Sequence, residues 1–235
     1  GLEEGLAVFH HIDPNLNIEI FIKDGEPVRA GDVPLVLTGS IHSILKGERV
    51  ALNIMQRMSG IATMTSKISA LIQDTHTQIL DTRKTTPLLR FLEKKAVRLG
   101  GGVNHRFGLY DMILIKDNHV DYAGGIQEAI SAANEYRSTL SKEIEIEIEV
   151  RDAKELDQVL EIGQVDRIML DNHRPEEVAE AVKKIGGRFV SEASGGIDEH
   201  SVRAYALAGV DYISIGGLTH SVKSLDISLK AKLVD

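Results

Sequence analysis

ILDTRKTTP at residues 79–87 and VRLGGGVNHRFGLYDMILIKDNH at 97–119 frame the stretch that decides how this chain is read. Each contains an apolar run that ends in charge. Ile79-Leu80 runs into Asp81, Thr82, Arg83 and Lys84, and Met112–Ile115 runs into Lys116, Asp117, Asn118 and His119. Over residues 79–119 eight Lys and Arg face four Asp and Glu, a net of +4, although the whole chain carries −8. A pocket lined by one sign of charge attracts ions of the other. Arg90, Lys94, Lys95 and Arg98, spaced along a helical run, read as a solvated charge face. Arg83, Lys84, Arg106 and Lys116 lie beside apolar strands or glycines, and they read as an anion site.

Outward from this stretch a strand–helix rhythm continues to the end. Strand-like runs are expected at Gln78–Leu80, Met112–Ile115, Ile144–Val150, Arg167–Leu170, Arg188–Val190 and Tyr212–Ile215. Asp152, with Glu155 three residues on, caps the helix after the third run, and Pro175 sits near the start of the next. Gly163, Gly186 and Gly209 fall where helices should stop. Such alternation predicts a parallel sheet, here an α/β class fold: an open or incomplete parallel α/β barrel of about six βα units.

Upstream, residues 2–10 read as a helix end, and Ile18–Ile22 and Leu35–Leu37 as short strands, together a small N-terminal α+β domain over 1–48. Val50, Ile54, Met58, Ile61, Ile68 and Ile72 share one face of a connecting helix over 49–76, with Gly60 marking a bend or a close backbone approach. The barrel domain spans 77–219, and residues 220–235 are expected to return to the small domain.

Bulk properties exclude several classes. Hydrophobic content of 43% and charge of 26% are ordinary for a globular chain. No cysteine is present, so disulfides, thiolate nucleophiles and Cys-held metals are excluded, and a cytoplasmic location is expected. Net charge of −8 argues against general nucleic-acid binding, and no 18-residue apolar run predicts a membrane span. There is no GxSxG, HExxH, GxxxxGK[ST] or GxGxxG. The chain opens without Met or a signal-like segment and reads as beginning partway into something longer.

In parallel βα folds the ligand site lies at the carboxyl ends of the strands. Cations come from the early strand ends: Arg83, Lys84 and Lys116. Acids come from the middle ones: Glu149 and Asp171. Glycines come from the late ones: Ser194-Gly195-Gly196 and Gly216-Gly217. Glycine lets backbone N–H groups approach a phosphate, and Asp198 is read as opening a helix whose N-terminus adds to this. Residues 100–106, GGGVNHR, read as a flexible loop bringing Arg106 inward, with His105 either structural or on substrate. In IEIEIEV, Glu145, Glu147 and Glu149 share a side, and Glu145 and Glu147 are expected to pair with lysines on neighbouring strands. Glu149 and Asp171 suit Mg²⁺, which takes oxygen ligands, or sugar hydroxyls.

LKGERVALN (45–53), MQRMSGIAT (55–63), ILDTRKTTP, LEKKAVRLGGGVNHRFGLYD (92–111), LIKDNH (114–119), IEIEV (146–150), MLDN (169–172), EASGGI (192–197) and DYISIGGLTHS (211–221) together resemble the quinolinate phosphoribosyltransferase family. The resemblance runs from about residue 1 to the C-terminus in order. It implies an N-terminal α+β domain, an open α/β barrel, and phosphoribosyl transfer from phosphoribosyl pyrophosphate to quinolinate with Mg²⁺. The products would be nicotinate mononucleotide, pyrophosphate and carbon dioxide, in NAD biosynthesis. It places the quinolinate grip on Arg83, His105, Arg106 and Lys116, and pyrophosphate contacts on Lys84 and neighbours such as Thr82. Ribose and metal contacts fall on Glu149 and Asp171, so Lys84, Glu149 and Asp171 carry the catalytic roles. The 5′-phosphate loops fall on Ser194, Gly195, Gly196 and Gly216. Arg49 matches an arginine that enters the neighbouring subunit's site, implying a homodimer. The family normally has several dozen residues before GLEEGLAVF. Alternatives are a pyrophosphorylase-like protein of molybdenum transport, a Schiff-base aldolase on Lys84 or Lys116, and a non-catalytic phosphosugar-binding module.

Overall fold

The computed structural model describes residues 1–232. Of the expected C-terminal segment 220–235, residues 233–235 lie outside the described residues. The chain forms two compact units. One comprises Gly1–Ser66, Thr85–Gly101 and the segment from Leu218 onward, and the other comprises Lys67–Lys84 and Gly102–Gly217.

The first unit contains α1 (Leu2–Ile12), the antiparallel pair β1 (Asn17–Ile20) and β2 (Leu35–Thr38), and α2 (Ile41–Ala70) as far as Ser66. Its small core joins Phe9, Leu16 and Ala51, with Val8, Ile18, Leu37 and Ile44 packed against them. On α2 the buried residues Gly47, Ala51, Met55, Met58, Ile61 and Thr65 recur every three or four positions, one continuous stripe. Val50 was expected on that stripe but is 53% exposed, because it precedes Ala51 by one position and so points about 100° away. Gly60 is a close approach: a Cβ there would lie 2.4 Å from the carbonyl oxygen of Lys223.

α3 (Arg90–Leu99) departs from the expected solvated charge face. Glu93 and Lys94 are buried, Lys95 pairs with Glu3 and Glu4, and only Arg98 of the four cations is exposed. Its largest apolar residue, Phe91, is exposed, and an ion pair fills part of the buried face. Glu93 Oε1 accepts from Arg57 Nε at 3.1 Å and Nη2 at 2.8 Å, and its Oε2 accepts the Thr86 N–H at 3.0 Å. Arg57 also donates to the carbonyls of Val222 and Thr219. Removing one partner of such a buried pair strands a charge, so it behaves as a fixed joint.

The second unit is built on six strands: β3 (Gln78–Leu80), β4 (Met112–Ile115), β5 (Glu145–Val150), β6 (Arg167–Asp171), β7 (Val190–Ser194) and β8 (Tyr212–Ser214). Helices α4 (Asp117–Ala123), α5 (Ile126–Ser138), α6 (Ala153–Ile162), α7 (Pro175–Ile185) and α8 (Val202–Leu207) connect them, and α9 (Gly217–His220) follows β8. The sheet order is β3-β8-β7-β6-β5-β4, every pair parallel. Among the described residues β3 and β4 are unpaired with each other, so the sheet is an open one, as anticipated. Asp152 caps α6 by accepting the N–H groups of Lys154 and Glu155, and Gly186 ends α7 in the left-handed region.

One strand moves. β7 runs from Val190 to Ser194, whereas Arg188–Val190 was expected. Only Ala193 in Val190–Ser194 is a small apolar residue at its centre, and the polar Ser191 and Glu192 beside it mimic a loop. Both are nonetheless buried. Asp211 supplies part of the reason, since its Oδ2 accepts from the N–H of Ser191 at 2.8 Å and from its hydroxyl at 2.7 Å.

Gly60→Ala is expected to destabilise the first unit by about 1–3 kcal/mol through overpacking against the Lys223 carbonyl. Denaturant or thermal unfolding of the variant measures this, and an unchanged midpoint would contradict the close approach.

Candidate active site

The parallel register brings the strand ends level. Ile115 faces Ile148, Val150 faces Leu170, Asp171 faces Ser194, and Leu80 faces Ser214. The residues that follow each strand therefore collect at one edge of the sheet. Lys116 and Glu149, level on neighbouring strands, meet at 2.9 Å, with Glu149 buried and Lys116 half-exposed. Each was assigned a separate ligand, and the structure pairs them with each other. Lys116 also caps α4, its N–H donating to Nδ1 of His119 at 2.9 Å.

At the next pair of ends, Asp171 Oδ2 accepts from Asn172 Nδ2 at 2.5 Å, and the Asn172 N–H donates to the carbonyl of Ser194 at 2.9 Å. Asn172 has φ +57°, a conformation asparagine tolerates. Gly195 has φ +102°, and a Cβ on it would lie 2.3 Å from Asn172 Oδ1, so glycine is required here twice over. Gly196, φ +63°, faces open space. Asp198 does not open a helix as expected. Its Oδ1 accepts the N–H groups of His200 and Ser201, closing a turn, and α8 starts only at Val202. The glycine amides thus lack a helix N-terminus behind them. After β8 the order differs, since α9 begins directly after Gly216.

Arg83 and Lys84 lie exposed in the turn after β3, which is tightened by the Lys84 N–H donating to Thr82 Oγ1 at 3.0 Å. Residues 102–106 are not the free loop that three glycines suggest. Val103 N–H donates to Ile79 O at 2.8 Å, and Asp81 N–H donates to Val103 O, so the segment runs as a ladder along β3. This carries Arg106 to the same end as Arg83. Arg106 is partly buried, its Nη1 donates to Met112 O at 3.2 Å, and its Nε is buried without a hydrogen-bond partner. Burial pushes its pKa below the usual value, and the neighbouring Arg83 charge adds to this. Asp111 fixes the following turn, accepting the N–H groups of Phe107 and Gly108.

Beneath these groups lies a cluster that the sequence reading did not anticipate. His105 Nε2 is 3.1 Å from Glu147 Oε2 and 3.6 Å from Glu192 Oε2. Both glutamates are fully buried. The 3.1 Å approach is close enough for an ion pair but off the line of a good hydrogen bond, and none of the four carboxyl oxygens has a well-aligned donor. Arg167 Nη1 lies 3.6 Å from Glu192 Oε2 and 3.2 Å separates its Nη2 from the exposed Glu145. Arginine and histidine, not lysines, therefore face Glu145 and Glu147. Burial raises both buried carboxyls, Glu147 to about 7 and Glu192 to about 8, the second also repelled by the first. The signal available was the alternation in IEIEIEV, which put Glu147 on one side with Glu145 and Glu149, but Glu192 was hidden by the misplaced strand.

All candidate residues but one belong to the second unit. Arg49 is in the first, exposed on α2. Glu149 and Asp171 offer hard oxygen donors at adjacent strand ends. Each already has a protein partner, so this donor set fits Mg²⁺ that also takes oxygens from a substrate rather than an all-protein cage.

Comparison with known proteins agrees with this architecture. Residues 1–59 match the quinolinate phosphoribosyl transferase N-terminal domain, and residues 61–230 match the C-terminal domain of the same family. A chloroplastic nicotinate-nucleotide pyrophosphorylase [carboxylating] of Arabidopsis thaliana is 45% identical over 98% of this chain and 71% of its own length. A probable nicotinate-nucleotide pyrophosphorylase [carboxylating] of Bacillus subtilis (strain 168) is 46% identical over 99% of this chain and 81% of its own. The crystal structure of NadC from Streptococcus pyogenes superposes with a TM-score of 0.92 at 42% identity, covering 98% of this chain and 80% of that one.

The buried carboxyls give a pH prediction. A carboxyl raised above its unfolded value of 4.5 binds its proton more tightly when folded. Its contribution is therefore complete below that value and is lost as pH rises towards about 8. Stability is expected to fall between pH 5 and 8, and Glu192→Gln should flatten the fall. Urea unfolding across that range is the check, and identical slopes in the two proteins would count against it.

Proposed function

We infer the reaction from one premise, that the chain belongs to the quinolinate phosphoribosyl transferase family: it is an enzyme of the carboxylating nicotinate-nucleotide pyrophosphorylase type. The reaction moves phosphoribosyl from phosphoribosyl pyrophosphate to quinolinate and removes one carboxylate. It yields nicotinate mononucleotide, pyrophosphate and carbon dioxide, a step of de novo NAD biosynthesis. The relatives' names do not favour a molybdenum-transport protein or a non-catalytic binding module.

The observation that carries this reading at the site is Arg106 at the same strand-end edge as Arg83: it is partly buried, its Nε has no hydrogen-bond partner, and burial, with the Arg83 charge adding to it, pushes its pKa down. Like charges held together are relieved by an anion, and arginine grips carboxylates bidentately. A pyridine with two adjacent carboxylates supplies the matching charge. Lys116 would add to the grip by leaving Glu149.

We assign the donor end as follows. The amides of Gly195, Gly196 and Gly216 and the Ser194 side chain take the 5′-phosphate, while Lys84 and Thr82 face the pyrophosphate. Leaving of pyrophosphate builds positive charge on the ribose, and Glu149 and Asp171 are placed to offset it. No protein nucleophile is needed, since positioning and charge carry the rate. Once ribosylated, the pyridine nitrogen is cationic and stabilises the electron pair left on the adjacent ring carbon as carbon dioxide departs; a proton then bonds to that carbon in place of the lost carboxylate. Mg²⁺, when bound, neutralises the pyrophosphate oxygens. Glu149 and Asp171 would hold it together with substrate oxygens.

A homodimer also belongs to this proposal. Arg49 lies on an exposed stretch of α2 with Ile41, Leu45 and Val50, which are 64%, 64% and 53% exposed. Apolar surface around a cation suits a partner subunit whose site Arg49 completes. No described helix is long and apolar enough to cross a membrane, and a cytoplasmic location completes the reading.

Pyrophosphate release is expected with quinolinate and phosphoribosyl pyrophosphate together, dependent on Mg²⁺, and absent when nicotinate replaces quinolinate. Arg106→Ala should lower kcat/KM for quinolinate about a hundredfold, with the fold intact by circular dichroism. Arg106→Lys should recover little, because the planar fork is lost. Unaltered quinolinate affinity in Arg106→Ala, read by calorimetry, would remove Arg106 from the site.

A further inference from the structure

His105 has two ring nitrogens, and the fold engages both. Nδ1 accepts the backbone N–H of Arg106 at 2.7 Å, so it carries no proton. A neutral ring then has its proton on Nε2, which sits between Glu147 and Glu192 at 3.1 and 3.6 Å. The backbone N–H of His105 is itself bound to Asp81 Oδ1 at 2.9 Å. His105 is thus held from three directions, and its buried ring is turned away from bulk water.

We propose that Glu147 and Glu192 are positioning residues: from beneath the site they hold His105 as its Nε2–H form, which leaves Nδ1 to anchor the Arg106 backbone and so aims Arg106 at the acceptor's carboxylate. This deepens the proposed reaction and rests on it for the identity of the acceptor. The groups facing the pair are Arg167 from β6, Arg106, Ser214 from β8, the rim residue Glu145 on β5, and His105 itself.

The same three side chains form a compact set with ligand atoms within 4.8 Å of one another, and a metal is the natural rival. The chemistry of the ring decides against it. A metal on Nε2 would displace that proton, while Nδ1 is already an acceptor, so His105 would have to be an imidazolate. The cation would also face the guanidinium of Arg167. A donor N–H from His105 meets neither objection and brings a hydrogen toward oxygens that otherwise lack one.

The test uses the full chain labelled with [15N]histidine. Signals of His105 are assigned by their loss in His105→Asn. The wild type should show an unprotonated Nδ1 and a protonated Nε2 at neutral pH. Glu147→Leu, which cannot accept, should mix the two tautomers and raise the quinolinate KM about tenfold, the effect of removing the polar group that faces Nε2. The KM for phosphoribosyl pyrophosphate should stay within about twofold, since Glu147 acts through His105 on the acceptor side. Glu147→Gln, whose amide oxygen still accepts, should recover most of the loss. If Glu147→Leu does not fold, the wild-type spectrum and Glu147→Gln decide alone. A proton on Nδ1 in the wild type overturns the proposal, as does an unchanged quinolinate KM in folded Glu147→Leu. Stoichiometric metal that purifies with the wild type and is lost from Glu147→Gln also overturns it. A wild type that fails to bind quinolinate by calorimetry would refute the reaction instead, while the tautomer spectrum would still report on how Arg106 is held.

Discussion

Two guanidinium groups held near each other is the constraint on which this site depends. Arg83 and Arg106 repel, and Arg106 is partly desolvated. Arg83 lies in the exposed turn that follows β3, and Arg106 follows the bridge that Val103 makes with Ile79 and Asp81. Main-chain hydrogen bonds thus fix the backbone that leads to Arg106, and they are hard to trade for solvent. An anion arriving between the two cations finds the positioning done, which is what makes such electrostatics effective.

The sheet sets acidic side chains near these cations in two layers. At the rim Glu149 meets Lys116 directly. One level down, Glu147 and Glu192 lie beneath His105 and beside Arg167. Burial of carboxylates is costly, and here it is tolerated by raising their hold on protons and by surrounding them with His105 and two arginines. The net −8 of the chain does not describe this place at all. A protein acidic overall keeps its cations and a few matched acids together inside one strand-end cluster, so local neutrality and global charge come from different residues.

Much of this was legible from residues alone. The parallel sheet followed from alternation of apolar runs with capped helices, and once strands are parallel, their carboxyl ends must share an edge. That single step located Arg83, Lys116, Glu149, Asp171 and the Ser194–Gly196 turn. What escaped had a common physical origin: polar residues used as interior. Ser191 and Glu192 look like loop, yet they are the middle of β7, since Asp211 satisfies the serine and the barrel interior accepts the acid. Lys94 and Glu93 look solvated on a helix that carries four basic residues, yet they are buried, Glu93 against Arg57. Gly100-Gly101-Gly102 looks like slack, yet a Cβ on Gly100 would lie 2.4 Å from the carbonyl oxygen of Ala62, so that glycine serves close packing.

These failures share a rule about what a single chain can disclose. Hydrophobic periodicity reports burial only where burial is apolar, because the transfer free energy it tracks belongs to apolar area. A buried ion pair or a shared carboxyl cluster is stabilised by a partner distant in sequence: Arg57 for Glu93, His105 for Glu147, Arg167 for Glu192. No window of eleven or so residues contains both members, so no local pattern can reveal them. The strand-end edge was easier to read than the interior supporting it. The edge is set by topology, which repeats along the chain, whereas the support is set by pairs, each of which occurs once. Glu147 marks the boundary between the two. Its shared side with Glu145 and Glu149 was visible in IEIEIEV, but the histidine opposite it appears only when the bridge between Val103 and β3 brings residue 105 against it.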